Sequence, residues 1–342
     1  MDSLPPDGIA IAQAARLLRD GKLVAFPTET VYGLGADADN AQAVRAIFAA
    51  KGRPSDHPVI VHVTDLAASA AWAGELPPAA RQLADRFWPG ALTLVVARGP
   101  RAHDALTGGQ PSVGLRCPAH PWAQALLRAL CRESADASRG IAAPSANRFG
   151  HISPTRAEHV HADLRVGPGE PVELVLDGGP SPVGIESTIV DLTSASPRLL
   201  RPGSITREQI ERTLGYAVPL AARDDASAPR APGRAARHYA PRTPLELVDG
   251  GRLAARLRQL GASRVAVLAP APLLPGVQYG WIAPASPEQY AHRLYEFLHQ
   301  MDASGAERLL VQRPPLDPTW AAVHDRLERA AEPPDGDFDD AD

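Results

Sequence analysis

"FPTETVYGLG", residues 26–35, follows a short apolar run at 23–26 and crowds two threonines, a glutamate, a tyrosine and two glycines into ten positions. The run reads as a buried strand ended by Pro27. Past the proline the chain is expected to stay extended, so that Thr28 and Thr30 project to one side and Glu29 to the other. Gly33 and Gly35 then read as a tight turn that lets the backbone approach a ligand. By spacing alone, a strand-ending turn with satisfied threonines fits the same residues.

Outward from this stretch, helical and extended patterns alternate. "IAQAARLLRDG" has helical apolar spacing and stops at Gly21, and "NAQAVRAIFAAKG" puts Val44, Ile47 and Phe48 on one face before Gly52. "PVIVHV", "ALTLVVA", "SVGLR", "GIAAP", "VELVLDGG" and "STIVDL" read as strands, and "TREQIERTLG" closes this half with a capping-box pattern, Thr206 to Gln209. Strands outnumber the helices between them, which predicts an α/β fold with a twisted mixed sheet and flanking helices. From Ala221 to Thr243 the texture turns to Ala, Pro, Arg and Asp without apolar period, as in a linker or lid. Residues 244–331 alternate strand and helix again, predicting a small second α/β domain, and 332–342 form an acidic tail.

With 342 residues, 44% hydrophobic and 22% charged, the chain suits two globular domains. Its net charge of -4 provides no global basic field for nucleic acid. The two cysteines, Cys117 and Cys131, have no metal-ligand spacing and are expected to be free thiols. The N-terminal stretch is acidic and then amphipathic, and no segment approaches membrane-spanning length, so a cytoplasmic location is expected.

Three further clusters carry chemistry. In "AAKGRPSDHPVIVHV", Lys51 sits where a cation favours a helix C-terminus, while Arg53 beyond the glycine suits a phosphate clamp. His62 interrupts an apolar strand, where a lone histidine is more often a satisfied core residue than a ligand. "GIAAPSANRFGHISPT" offers Ser145, Asn147 and Ser153 after a strand, a pattern shared by ordinary turns and phosphate cradles. "GIESTIVDL" puts Ser187 and Thr188 at a strand entrance, and "LLRPGS" puts Arg201 in a turn. His159 and His161, two apart on a helix, share no face and make no metal site.

The order and wording of "PTETVYGLG", "KGRPSDHPVIVHV", "GLRCPAHP", "APSANRFGHISPT", "ESTIVDL" and "RPGSI" closely resemble the signature segments of the YrdC/Sua5 family, the threonylcarbamoyl-AMP synthases. The likeness runs from about Gly8 to Gly215. "APGRAARHYAPRTPL" is similar to the linker of the two-domain Sua5 form, which ends in a small Rossmann-like domain. The resemblance implies a YrdC-like catalytic domain over 1–220, a linker or lid over 221–243 and a Sua5 C-terminal domain over 244–331.

It also implies a nucleotidyltransferase reaction: L-threonine, bicarbonate and ATP give threonylcarbamoyl-adenylate and pyrophosphate, for modification of adenosine 37 in tRNA. Carried over by motif, Thr30, His62, Arg116, Ala143 and Ser187 hold threonine. Arg53, His57, Ser112, Ser145, Ser153, Arg201 and the linker's Tyr239 hold ATP, and Lys51, Arg53 and Asn147 form the catalytic basic and polar set. Mg2+ is expected with ATP, and no protein-bound transition metal. A tRNA threonylcarbamoyl transferase complex is the implied recipient of the product, with direct tRNA binding weak or absent. His57 replaces the asparagine common in the family, "APGR" replaces "SPGM", and Phe149 replaces a serine. The competing readings are a double-stranded RNA or tRNA-binding module, and a hydrolase or carbamoyltransferase acting on a small carbamate.

Overall fold

A computed structural model describes residues 5–331 apart from 223, 224, 226, 235, 236, 262, 263 and 274. The acidic tail at 332–342 lies outside the described residues. The described residues fall into two compact units, one within Met1–Phe149 and Ser153–Arg234, the other within Gly150–Ile152 and Ala235–Asp342. The division at 234 lies inside the segment read as a linker.

The first unit is built on β1 (Val24–Phe26), β2 (Gly33–Asp37), β3 (Ile60–His62), β4 (Leu92–Ala97), β5 (Ser112–Arg116), β6 (Ile141–Ala142), β7 (Leu174–Val175), β8 (Thr188–Asp191) and β9 (Arg198–Arg201). Among the described residues they form one sheet in the order β7-β1-β2-β6-β3-β5-β4-β8-β9. The β1/β7, β3/β5 and β4/β8 pairs are parallel and the other five antiparallel, so the sheet is mixed, as its strand-rich sequence implies. Two strands differ from the sequence reading. Gly33 and Gly35 open β2, opposite Phe26 and Val24, rather than making a turn. A Cβ on Gly35 would come within 2.9 Å of the Phe26 ring, so the glycine serves close strand packing. Arg201 likewise ends β9 rather than sitting in a turn.

Period-two alternation divides the sheet into two faces. On one, Val61, Val63, Leu92, Leu94, Val96, Val113, Leu115 and Val190 join a core closed by helices Ala41–Lys51 and Pro78–Phe87. On the other, Val24, Phe26 and Ile141 are covered by helices Gly8–Arg19 and Pro121–Glu133. That second helical pair stops short of β5, β4 and β8. There Val95, Ile189 and Leu200 pack with Ala221, Ala228 and Ala231. The helix-free half of the face is where polar residues alternate with the core: His62 on β3, Thr93 on β4, Ser112 and Arg116 on β5.

The second unit holds β10 (Leu245–Val248), β11 (Val265–Ala269), β12 (Tyr279–Ile282) and β13 (Arg308–Gln312). They are all parallel, in the order β10-β13-β11-β12, with helices Leu253–Leu260, Pro287–Asp302 and Ala321–Ala330. This is the small Rossmann-like domain expected. The sequence reading passed over β12, an edge strand with only alternate residues partly buried and a glycine at its second position.

Candidate active site

The loop between β1 and β2 departs from the extended path expected of it. The Thr28 hydroxyl accepts from the backbone N–H groups of Thr30 and Val31 at 3.2 and 3.3 Å and bonds the Val31 carbonyl at 2.6 Å. This side-chain turn curls the segment, so Glu29 and Thr30 reach the same guanidinium instead of opposite sides. Arg116, at the end of β5, donates from Nη2 to Glu29 Oε1 at 2.6 Å, from Nη1 to Thr30 Oγ1 at 2.9 Å and from Nε to the Gly90 carbonyl at 3.3 Å. The other Glu29 oxygen accepts the Ala119 N–H at 3.0 Å. The sequence reading did not place Glu29 in the site; its place beside two threonines was the available signal, and the assumed strand alternation turned it outward.

The parallel register of β3 and β5 sets His62 beside Arg116. His62 is buried, stands edge-on to Phe26 with centroids 6.2 Å apart, and leaves Nδ1 without a partner among the described residues. Burial first, and then the Arg116 charge, push its pKa down to about 3. It is a neutral imidazole, able to orient a ligand but not to pair with an anion as a cation. Ala143 donates its N–H to the Ile60 carbonyl on the same strand as His62.

A second group gathers on β4, β8 and β9. Ser187 Oγ lies 2.7 Å from Thr93 Oγ1 and accepts from Arg201 Nη2 at 3.1 Å, while Arg201 Nε donates to the Ser187 carbonyl at 3.0 Å. Arg201 Nη1 reaches the Pro232 carbonyl at 3.0 Å. Ser153 donates to Glu186 Oε1 at 2.5 Å. Ser112 lines a small cavity with Ile60, Thr93 and Gly114, roofed by Arg230, Ala231 and Pro232. Gly114 leaves the cavity floor without a side chain. The roof is tied down: Gln110 accepts the Arg230 N–H at 2.6 Å and donates to its carbonyl at 3.2 Å, and Arg230 Nη2 donates to Gly108 at 2.6 Å.

Lys51 stands in the last turn of helix Ala41–Lys51, as its position suggested, and its side chain also reaches a distant loop. Its stem is buried at the helix end and Nζ donates to the carbonyls of Ser145 and Asn147. Lys51 thus ties the loop carrying the candidate residues Ser145 and Asn147 to helix Ala41–Lys51. Burial, reinforced by Arg53, holds its pKa well below the usual lysine range, against a weaker opposing pull from Asp163. Arg53 donates to the Pro58 carbonyl at 2.8 Å and lies over Phe48. His57 stands edge-on to Phe149 at 5.4 Å, its pKa lowered by burial and then by Arg53. Tyr239 belongs to the second unit, where it adopts a left-handed backbone with φ of 62° and packs between His238 and Tyr295, under Arg326.

The first unit therefore brings Thr30, His62 and Arg116 together and sets Ser187 with Arg201 and Lys51 with Ser145 and Asn147. Among the described residues, no three His, Cys, Asp or Glu side chains gather to hold a metal, and no helix is long and apolar enough to cross a membrane. Residues 16–203 match the Sua5/YciO/YrdC family, described as telomere recombination, and residues 205–332 match the C-terminal domain of threonylcarbamoyl-AMP synthase. The chain is 40% identical to the Bacillus subtilis threonylcarbamoyl-AMP synthase over 96% of its own length and 95% of that protein's. It is 38% identical to the Pyrococcus abyssi threonylcarbamoyl-AMP synthase over 93% of each. Its structure matches that of P. abyssi Sua5 complexed with L-threonine with a TM-score of 0.83, over 94% of each chain.

Proposed function

The chain belongs to the Sua5/YciO/YrdC family in its two-domain Sua5 form, and on that premise we propose that it is an L-threonylcarbamoyladenylate synthase. It joins L-threonine, bicarbonate and ATP into threonylcarbamoyl-AMP, releases pyrophosphate, and supplies the intermediate for threonylcarbamoylation of adenosine 37 in tRNA. The observation that carries this reading is the juxtaposition of His62 and Arg116 on neighbouring strands beneath Thr30, in a chain so similar to a protein solved with L-threonine.

In this reading Arg116 takes the amino-acid carboxylate through its remaining N–H groups. Thr30, Ser187 and neutral His62 orient the hydroxyl and amine, with the Ala143 backbone beside them. Arg53, His57, Ser112, Ser145, Ser153 and Arg201 receive the nucleotide, and Lys51 holds Ser145 and Asn147 in place. Tyr239 is assigned to the nucleotide on the family resemblance. The chemistry is positioning: the neutral threonine amine attacks the bicarbonate carbon and water is lost to leave a carbamate, whose oxygen then attacks the α-phosphorus as the bond to pyrophosphate breaks in line. Residues 228–232 act as a lid that keeps water from the labile adenylate.

Mg2+ would come with ATP, held by the phosphate oxygens and water, and would neutralise their charge. A cytoplasmic protein that hands its product to a tRNA threonylcarbamoyl transferase complex completes the proposal. Pyrophosphate release with ATP, threonine and bicarbonate omitted in turn tests it. Release that persists without threonine or without bicarbonate would refute it.

A further inference from the structure

The carboxylate of Glu29 is the unexpected member of the site. An arginine meant to receive a substrate carboxylate is here already paired with one, and both side chains are almost wholly enclosed, at 5% and 9% exposure. Glu29 is also fixed from behind, since its second oxygen accepts the Ala119 N–H and its backbone carbonyl accepts the Val183 N–H at 2.7 Å. It cannot swing aside without breaking these contacts. A guanidinium has five N–H groups. Three are used by Glu29, Thr30 and Gly90, leaving one on each terminal nitrogen, enough for a two-pronged contact with a second carboxylate.

We propose that Glu29 is a specificity-determining residue that makes the Arg116 subsite select zwitterionic α-amino acids and reject simple carboxylate anions. This rests on the assignment of the amino-acid carboxylate to Arg116. The Arg116–Glu29 pair has no net charge, so an incoming plain carboxylate meets a guanidinium already neutralised and a second carboxylate facing it. Two carboxylates about 5 Å apart across one guanidinium repel, at the effective dielectric of a protein, by about a hundredfold in affinity. An α-amino acid carries its own ammonium one carbon from its carboxylate. Its attraction to Glu29 offsets the repulsion, so the zwitterion loses little. Thr28 and Thr30 supply hydroxyls beside the pair but no charge, leaving the discrimination to Glu29.

The test measures calorimetric binding of L-threonine and of 3-hydroxybutyrate, the threonine skeleton without its amine, to the full chain. The wild type is expected to prefer threonine strongly. Glu29→Gln removes the negative charge at nearly constant shape, and is expected to bind 3-hydroxybutyrate at least about tenfold more tightly than the wild type does, a floor set at a tenth of the hundredfold ratio. Its affinity for threonine should not rise comparably. Glu29→Asp, which keeps the charge, should still reject the anion, and Glu29→Met serves if the glutamine variant fails to fold. A purely structural glutamate would give weaker binding of both ligands, and that result, or no change in either, overturns the proposal. Arg116→Lys separates the two assignments: if it binds threonine as the wild type does, the carboxylate does not sit on Arg116 and the site reading itself fails.

Discussion

Lys51→Met isolates the tie between helix Ala41–Lys51 and the Ser145–Asn147 loop. Methionine retains much of the stem's volume but takes a donor from two buried carbonyls, those of Ser145 and Asn147. Losing a donor costs about 1–3 kcal/mol per carbonyl, offset in part because an amine is no longer buried, so a net loss of about 2–4 kcal/mol is expected. For a unit of this size that is a fall of roughly 4–16 °C in the unfolding temperature. The gap depends on pH. Burial, with help from Arg53, depresses the Lys51 pKa from its ordinary 10.5. Between the depressed value and 10.5 the unfolded chain binds the extra proton, so the stability of the wild type rises with pH through this window and falls as pH is lowered. Methionine has no proton to bind. The stability difference between wild type and Lys51→Met should therefore widen from pH 7 to pH 10, measured by urea unfolding at each pH. A difference that stays flat or narrows would refute the lowered Lys51 pKa. Product formation should fall tenfold or more in the folded variant, because a loop displaced by about 1 Å is enough for such a loss.

Arg53→Ala should raise the ATP requirement more than tenfold through loss of a charge-assisted contact worth about 1.5–3 kcal/mol; an unchanged rate at sub-saturating ATP would remove Arg53 from the site. Arg116→Ala should raise the threonine requirement far more than the ATP requirement, and equal effects would mean that the roles are misassigned. Gly35→Ala, whose Cβ would press within 2.9 Å of the Phe26 ring and 3.0 Å of Ile141, should cost about 1–3 kcal/mol, read from denaturant unfolding. A chain ending at Gly215 loses the alanines packed on Val95, Ile189 and Leu200, whereas one ending at Arg234 keeps them. The first should therefore bind the apolar dye ANS more strongly and make little product. Equal dye binding by both would deny that Ala221, Ala228 and Ala231 cover this face.

Much of the first unit was legible because local patterns carried it. The helix starts and stops at Asn40, Gly52, Thr206 and Gly215 are side-chain caps and left-handed glycines, and these act within a few residues. The buried strands announce themselves by β-branched and leucine runs, and the mixed sheet by their number. Motif wording alone placed Thr30, His62, Arg116 and Ser187 in one family, and the register of β3 against β5 set two of them side by side.

Other features needed distant partners. Gly33 and Gly35 read as a turn from the sequence, because the atoms that leave no room for a Cβ, the Phe26 ring across the β1/β2 pair with Ile141 and Ala143, are brought there only by the sheet. Lys51 looked like an ordinary helix-end cation; two carbonyls ninety-four and ninety-six residues away make it a strut. Gln110 carried no signal at all, since its partner is the peptide of Arg230, 120 residues on. Glu29 was misdirected by assuming a straight strand, when a threonine hydroxyl had already bent it. The sequence by itself determined the helix ends, the buried strands and, through motif wording, the family resemblance that implies the chemistry, since caps, periodicity and motifs are local. Tertiary structure alone decided which charge faced which, because electrostatics and hydrogen bonding act through distances of a few ångströms that chain separation does not encode.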